Sequence, residues 1–248
     1  MNKELSLEFD ILFDNIMSGK APGLNDYEKS VFLTKGQEDL LKNYFNPKGN
    51  KYFEGNEDSA KRMMDFINII EVRICATLDS STYPVSFRKN SSFYSVPEDM
   101  FIPLDYIISN DTKDVRVIPL KEEEINRLFS KPYKKPFKNT AYLFTRTDYN
   151  KESAFEVILR KEDLLDTSLK FKVKYIRYPK PIILRDLSEI SSEYGLDFNL
   201  SINGQSNYSE CELRQATKKE ILDRAVLLAK SYYEGNPQDI VQLSQINE

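Results

Sequence analysis

Residues 217–235, TKKEILDRAVLLAKSYYEG, decide how the two ends of the chain must be used. Thr217 and Glu220 have the spacing of a capping box, in which a side-chain oxygen and a carboxylate satisfy two backbone N–H groups at a helix start. Ile221, Leu222, Ala225, Val226, Leu228, Ala229, Tyr232 and Tyr233 then recur at helical spacing as one broad apolar stripe. Gly235 and Pro237 end the run. A stripe this wide must be covered, and the only other strongly helical sequence lies at the opposite end of the chain. There Leu5, Phe9, Leu12 and Ile16 share a helical face until Ser18-Gly19 and Pro22-Gly23 stop it. Asn25 and Glu28 form a second capping box, opening a helix with Tyr27 and Val31 on one side. Thr34 and Gln37 are a third such pair, so a break near Leu33 and a restart toward Leu40, Leu41, Tyr44 and Phe45 are expected. Acids after Asn56 open a further helix that buries Ala60, Met63, Met64, Ile67 and Ile70. Helices are therefore predicted near 4–17, 25–45, 56–70 and 217–234.

The pattern changes near residue 71. Val72, Ile74, Ala76 and Leu78 alternate with Glu71, Arg73, Cys75 and Thr77, the signature of a half-buried strand. Short runs rich in β-branched and aromatic residues follow at 93–96, 100–108, 115–118, 140–145, 155–159 and 171–178. Prolines at 97, 103, 119, 132, 136, 179 and 181 suit edges, strand starts and rigid turns. One helix is predicted inside this region, at 121–129. There is no regular βαβ alternation, which argues against a doubly wound parallel sheet. The expected fold is α+β: a helical bundle from both chain ends (1–70 and 212–248, the latter ending in an extended tail), with a β-rich, mainly antiparallel insertion at 71–211.

Composition removes whole classes of chemistry. The chain of 248 residues contains no His, so Ser-His-Asp and Cys-His catalysis and His-ligated zinc are impossible within it. Cys75 and Cys211 are too far apart for a Cys-x-x-Cys motif, and two small buried thiols are expected. The eight glycines cannot build a G-x-G-x-x-G. Gly49 and Gly55 miss the P-loop spacing by one residue, with Asn56 where its lysine belongs. No metal or cofactor site is expected. The acid pairs Asp163/Asp166 and Glu122/Glu123/Glu124 lie in charged, solvated stretches. A net charge of −4 lacks the basic excess of a phosphate-binding surface. No stretch is apolar enough for a membrane span, so a chain made and kept in the cytosol until it meets a partner is expected.

APGLNDYEKSVFLTKGQEDLLKNYF (21–45) and FEGNEDSAKRMMDFINII (53–70) resemble virion structural proteins of crAss-like, short-tailed bacteriophages. RVIPLKEEEINRLFSKPYKKP (116–136), YIRYPKPIIL (175–184) and CELRQATKKEILDRAVLLAKSYYEG (211–235) are similar to podovirus head-to-tail adaptor and tail-tubular proteins. The resemblance implies a non-enzymatic ring subunit of twelve copies, stacked beneath the portal protein and against adjacent connector or tail rings. Duplex DNA would pass through without specific binding. The virion would be its destination and the host cytoplasm its place of assembly, with no membrane involved. No catalytic residue comes with the resemblance. Twelve per cent aromatic residues suit large interfaces. The expected inter-subunit contacts are Lys131, Tyr133, Lys134, Lys135 and Phe137 in a Pro- and Lys-rich loop, and Ile240, Val241, Leu243 and Ile246 in the tail. Two alternatives stand beside it: a tail-side ring or assembly factor of the same phage group, and a carboxylate-dependent hydrolase on a β scaffold.

Overall fold

The computed structural model describes residues 2–16, 23–45, 63–79, 91–109, 114–121, 123–124, 139–147, 153–159, 169–195 and 199–234. The chain is α+β and divides into two compact units, one from Met1–Ile69 with Pro179–Glu248 and one from Ile70–Tyr178. The boundary falls at Tyr178, so residues 179–211, placed in the β insertion by sequence, group with the helices instead.

The first unit holds α1 (Asn2–Ile16), α2 (Asp26–Phe45), α3 (Leu187–Glu193) and α4 (Gln215–Glu234). α4 packs along α2 and against α1, burying Phe9, Phe13, Leu33, Leu40, Ile221, Leu222, Ala225 and Val226. The Asn25 capping box forms as read. The Asn25 side chain accepts from the Glu28 N–H at 2.7 Å, and the Glu28 carboxylate accepts from the Asn25 N–H at 3.0 Å. The expected break near Leu33 does not occur, and α2 runs unbroken. Thr34 and Gln37 have another task. With Ser30, at i, i+4 and i+7 on one helix face, they bond the backbone of the extended segment 180–184. Thr34 Oγ1 accepts from the Ile182 N–H at 3.1 Å, Ser30 Oγ from the Leu184 N–H at 3.1 Å, and Gln37 Nε2 donates to the Lys180 carbonyl at 3.3 Å. An apolar PIIL segment is thereby buried with its backbone groups satisfied. The Thr217 capping box is likewise corrected: α4 starts earlier, at Gln215, because the Thr217 N–H and hydroxyl both bond the Arg214 carbonyl, at 3.0 and 2.8 Å.

The second unit is one eight-stranded curled sheet: β1 (Ile70–Ile74), β2 (Thr77–Leu78), β3 (Ser91–Ser95), β4 (Met100–Ser109), β5 (Asp114–Pro119), β6 (Thr140–Thr147), β7 (Ser153–Ile158) and β8 (Lys170–Arg177). The order is β1-β8-β4-β5-β6-β7-β3-β2. Every pair is antiparallel except β5–β6. β1 and β2 stand at opposite ends of this order yet only Cys75-Ala76 separates them. Three residue steps reach about 10–11 Å, so the sheet must curl until its edges nearly meet. The corner itself stitches them. The Cys75 N–H donates to Phe171 of β8 at 3.0 Å, and the Ala76 carbonyl accepts from Ser95 of β3 at 2.9 Å. Inside lie Ile108, Val115, Val117, Leu143, Phe155, Val157, Phe171, Val173 and Tyr175. Burying each such side chain is worth about 1.5–3 kcal/mol relative to exposure.

The alternation at 71–78 reads one way in sequence and points the other way in space. Val72 and Ile74 are 60% and 56% exposed. Glu71 and Arg73 share the inner face, opposite Tyr175 and Val173. Polar satisfaction accounts for this register. The buried Tyr175 ring carries its hydroxyl to the sheet's rim, where it donates to Asp99 at 3.0 Å and reaches Glu71 at 3.4 Å. Arg177 pairs with Glu71 at 3.1 Å and Arg73 with Asp99 at 3.4 Å. A one-residue slip would strand that hydroxyl among apolar neighbours. Of the helix predicted at 121–129, Glu123 and Glu124 are helical, Lys121 is not, and 122 and 125–129 lie outside the described residues.

Candidate interaction surfaces

α1 carries more apolar residues than one helical stripe can bury. Phe9 and Phe13, one turn apart, are buried and stack on each other at 6.0 Å. Phe13 also meets Tyr233 of α4 edge-on at 6.0 Å. Lys29 of α2 fixes the helix from the side, pairing with Asp10 at 2.7 Å and Ser6 at 3.2 Å. Leu7 and Ile11, also one turn apart, are left 62% and 53% exposed. Ile11 borders a groove of 490 Å³ between α1 and α4. Its floor is Leu5, Leu12 and Leu222, and its rim alternates acids (Glu4, Glu8, Asp223) with Lys218 and Lys219. The sequence stripe Leu5-Phe9-Leu12-Ile16 passes these positions by. The i, i+4 pair Leu7/Ile11 was the readable signal for a second apolar face.

The sheet unit offers two further features. On its outer surface Val72 and Ile74 lie opposite Lys174 and Lys172 of β8. At the Cys75-Ala76 corner sits a concavity of 350 Å³ lined by residues 73–76 and 95–98. Cys75 lines it, and burial pushes its thiol up to about 11. Burial likewise raises the Cys211 thiol, and both cysteines are free. Glu156, fully buried, is ion-paired with Arg146 at 2.7 Å. Asp163, Asp166 and Glu122 lie outside the described residues. So do the expected contact residues Lys131, Tyr133, Lys134, Lys135, Phe137, Ile240, Val241, Leu243 and Ile246. Among the described residues there is no group of three or more His, Cys, Asp or Glu able to hold a metal ion. No described helix is long and apolar enough to cross a membrane.

Comparison with known proteins identifies relatives of the whole chain. The profile of one family, phage tail ring protein 3/4, matches residues 1–238. The chain is 43% identical over 245 residues to ring protein 4/5 of Bacteroides phage crAss001, covering 99% of this chain and 98% of that protein. It is 30% identical over 251 residues to ring protein 3 of the same phage, covering 96% and 99%.

Proposed function

Because the chain belongs to the phage tail ring protein 3/4 family, and so is a virion ring protein of a crAss-like phage, we propose that it is a non-enzymatic subunit of a closed, twelve-copy ring in the head-to-tail connector. The ring stacks coaxially below the portal with other rings of the family and gives duplex DNA a passage. The observation that carries this reading is the near full-length similarity to two differently numbered ring proteins of one phage. One fold serving several rings suits coaxial stacking. The higher identity to ring protein 4/5 favours that level over the level of ring protein 3.

The surfaces support the same reading. A cyclic oligomer needs two different, complementary patches on each subunit. Exposed Leu7 and Ile11 on α1 and exposed Val72 and Ile74 on β1 are distinct apolar patches of that kind. We carry forward the likeness to podovirus adaptors, the loop and tail contacts (Lys131 to Phe137, Ile240 to Ile246), and assembly in the host cytoplasm before incorporation.

Electron cryomicroscopy of virions carrying a tagged copy tests the reading. A closed ring on the neck axis with the tag at one level is the expected result. Absence of the chain from purified virions, or its presence only off the axis, would overturn it.

A further inference from the structure

We propose that the groove between α1 and α4 receives residues 236–248 of the neighbouring copy, making groove and tail the two halves of the ring's subunit-to-subunit contact; this deepens, and rests on, the ring reading above. The groove has an apolar floor (Leu5, Leu12, Leu222) bordered by Ile11, which is more than half exposed in the isolated chain. An occupant should therefore be a narrow amphipathic segment with apolar anchors on one side.

The chain supplies one. Beyond Glu234 it continues for 14 residues, NPQDIVQLSQINE following Gly235. Ile240, Leu243 and Ile246 recur every third residue, with Gln242, Ser244, Gln245 and Asn247 between them. Read as a helix laid in a groove, these anchors span about 9 Å at 1.5 Å per residue. The stretch of α1 from Leu5 to Leu12 spans about 10 Å by the same rise. Residues 236–248 contain two acids, Asp239 and Glu248, and no base. Their partners on the rim would be Lys218 and Lys219, which stand among the acids Glu4, Glu8 and Asp223, so the apolar anchors rather than net charge carry the fit.

Geometry favours a second copy over the chain's own groove. Leu222 lies about 18 Å back along α4 from Glu234, so a tail filling its own groove must reverse and run antiparallel to the helix it has just left. Pro237 disfavours helical backbone at Asn236 and biases the exit toward extended conformation. Fourteen residues extend at most about 46–50 Å, ample to reach past an adjoining subunit's helix. One groove and one tail per copy also give the head-to-tail repeat that a closed ring requires. The family match ends at residue 238, whereas the similarity to ring protein 4/5 covers 99% of the chain and so takes in most of the tail.

The test uses two full-length variants, Ile11→Cys and Leu243→Cys, mixed before assembly and oxidised mildly. Cys75 and Cys211 are buried with raised pKa values, so the unmodified chain serves as the blank. A covalent heterodimer from the mixture, absent from either variant alone, is expected. In the double variant the same link should give a ladder of covalent multimers. Rings visible by negative-stain microscopy that yield only an intrachain link, or none, would overturn the tail-to-groove contact while leaving the ring reading intact. Failure of the unmodified chain to form any ring would overturn both.

Discussion

At the scale of single residues, Gly36 shows how a position unfavourable to a helix is retained by a crossing. A Cβ there would lie 2.9 Å from the Ile221 carbonyl oxygen and 3.1 Å from the Ala225 nitrogen. Both are backbone atoms of α4 and cannot swing aside. Gly36→Ala should gain under ~1 kcal/mol of helix propensity and lose about 1–3 kcal/mol to overpacking, a net destabilisation measurable by urea unfolding followed at 222 nm. Gly23, with nothing within 4 Å, is the control, and alanine there should be near neutral. Tyr175 gives a pH dependence. Burial first, then its hydrogen bond to Asp99, raises the phenol from 10 to about 12. Burial raises the Cys75 thiol from 9 to about 11. In both groups the fold favours the protonated form, so their contribution is complete below the ordinary pKa and drains away as pH climbs. The sheet should lose stability between about pH 9 and 12, and Tyr175→Phe should make that decline shallower above pH 10. An unchanged slope in alkaline denaturation would remove Tyr175 from the account.

Among elements, the contact between α2 and the segment 180–184 is the most demanding, because it buries an extended backbone against a helix. Ser30, Thr34 and Gln37 are buried and polar, and each bonds a backbone group of that segment. Thr34→Val keeps the shape but orphans the Ile182 N–H, a loss of about 1–3 kcal/mol. Thr34→Ser retains the oxygen and should cost well under that. The pair of thermal melts separates a hydrogen-bonding role from a packing role. The cap at Asn25 is a smaller matter, and Asn25→Ala should cost about 1 kcal/mol.

At the scale of the whole molecule, the exposed face of α1 is what a ring subunit would spend on its neighbour. Leu7→Asp with Ile11→Asp changes two residues that are more than half exposed, so circular dichroism of the monomer should not change. Incorporation into virions, read by mass spectrometry of purified particles, should fall at least tenfold. Deleting residues 236–248 should act the same way, leaving the monomer folded while reducing incorporation. Normal incorporation of either variant would place the ring contacts elsewhere.

Sequence alone determined much of what depends on neighbours along the chain, but the helix expected at 56–70 gives way to a 3-10 turn at Ile67–Ile69 and to β1 at Ile70, leaving Met64 and Ile67 exposed. The helical periodicity of α1, α2 and α4, the Asn25 cap and six of the strands were legible because side-chain spacing and capping are local properties. The absence of His and of phosphate-binding loops was legible by inspection. The family resemblance was carried by contiguous stretches. Tertiary structure decided what depends on pairing across distance. The strand expected at 71–78 breaks at Cys75-Ala76 because two sheet edges must be joined there. Its apolar alternation faces outward because the register with β8 is set by Tyr175 and its carboxylates. Thr34 and Gln37 looked like a cap because a cap and a mid-helix polar anchor share the same residues and spacing, and only the chain 148 positions away distinguishes them. The groove beside Ile11 could not be read at all, since its two walls, α1 and α4, lie at opposite ends of the sequence and meet only through burial of the Phe9–Phe13 face.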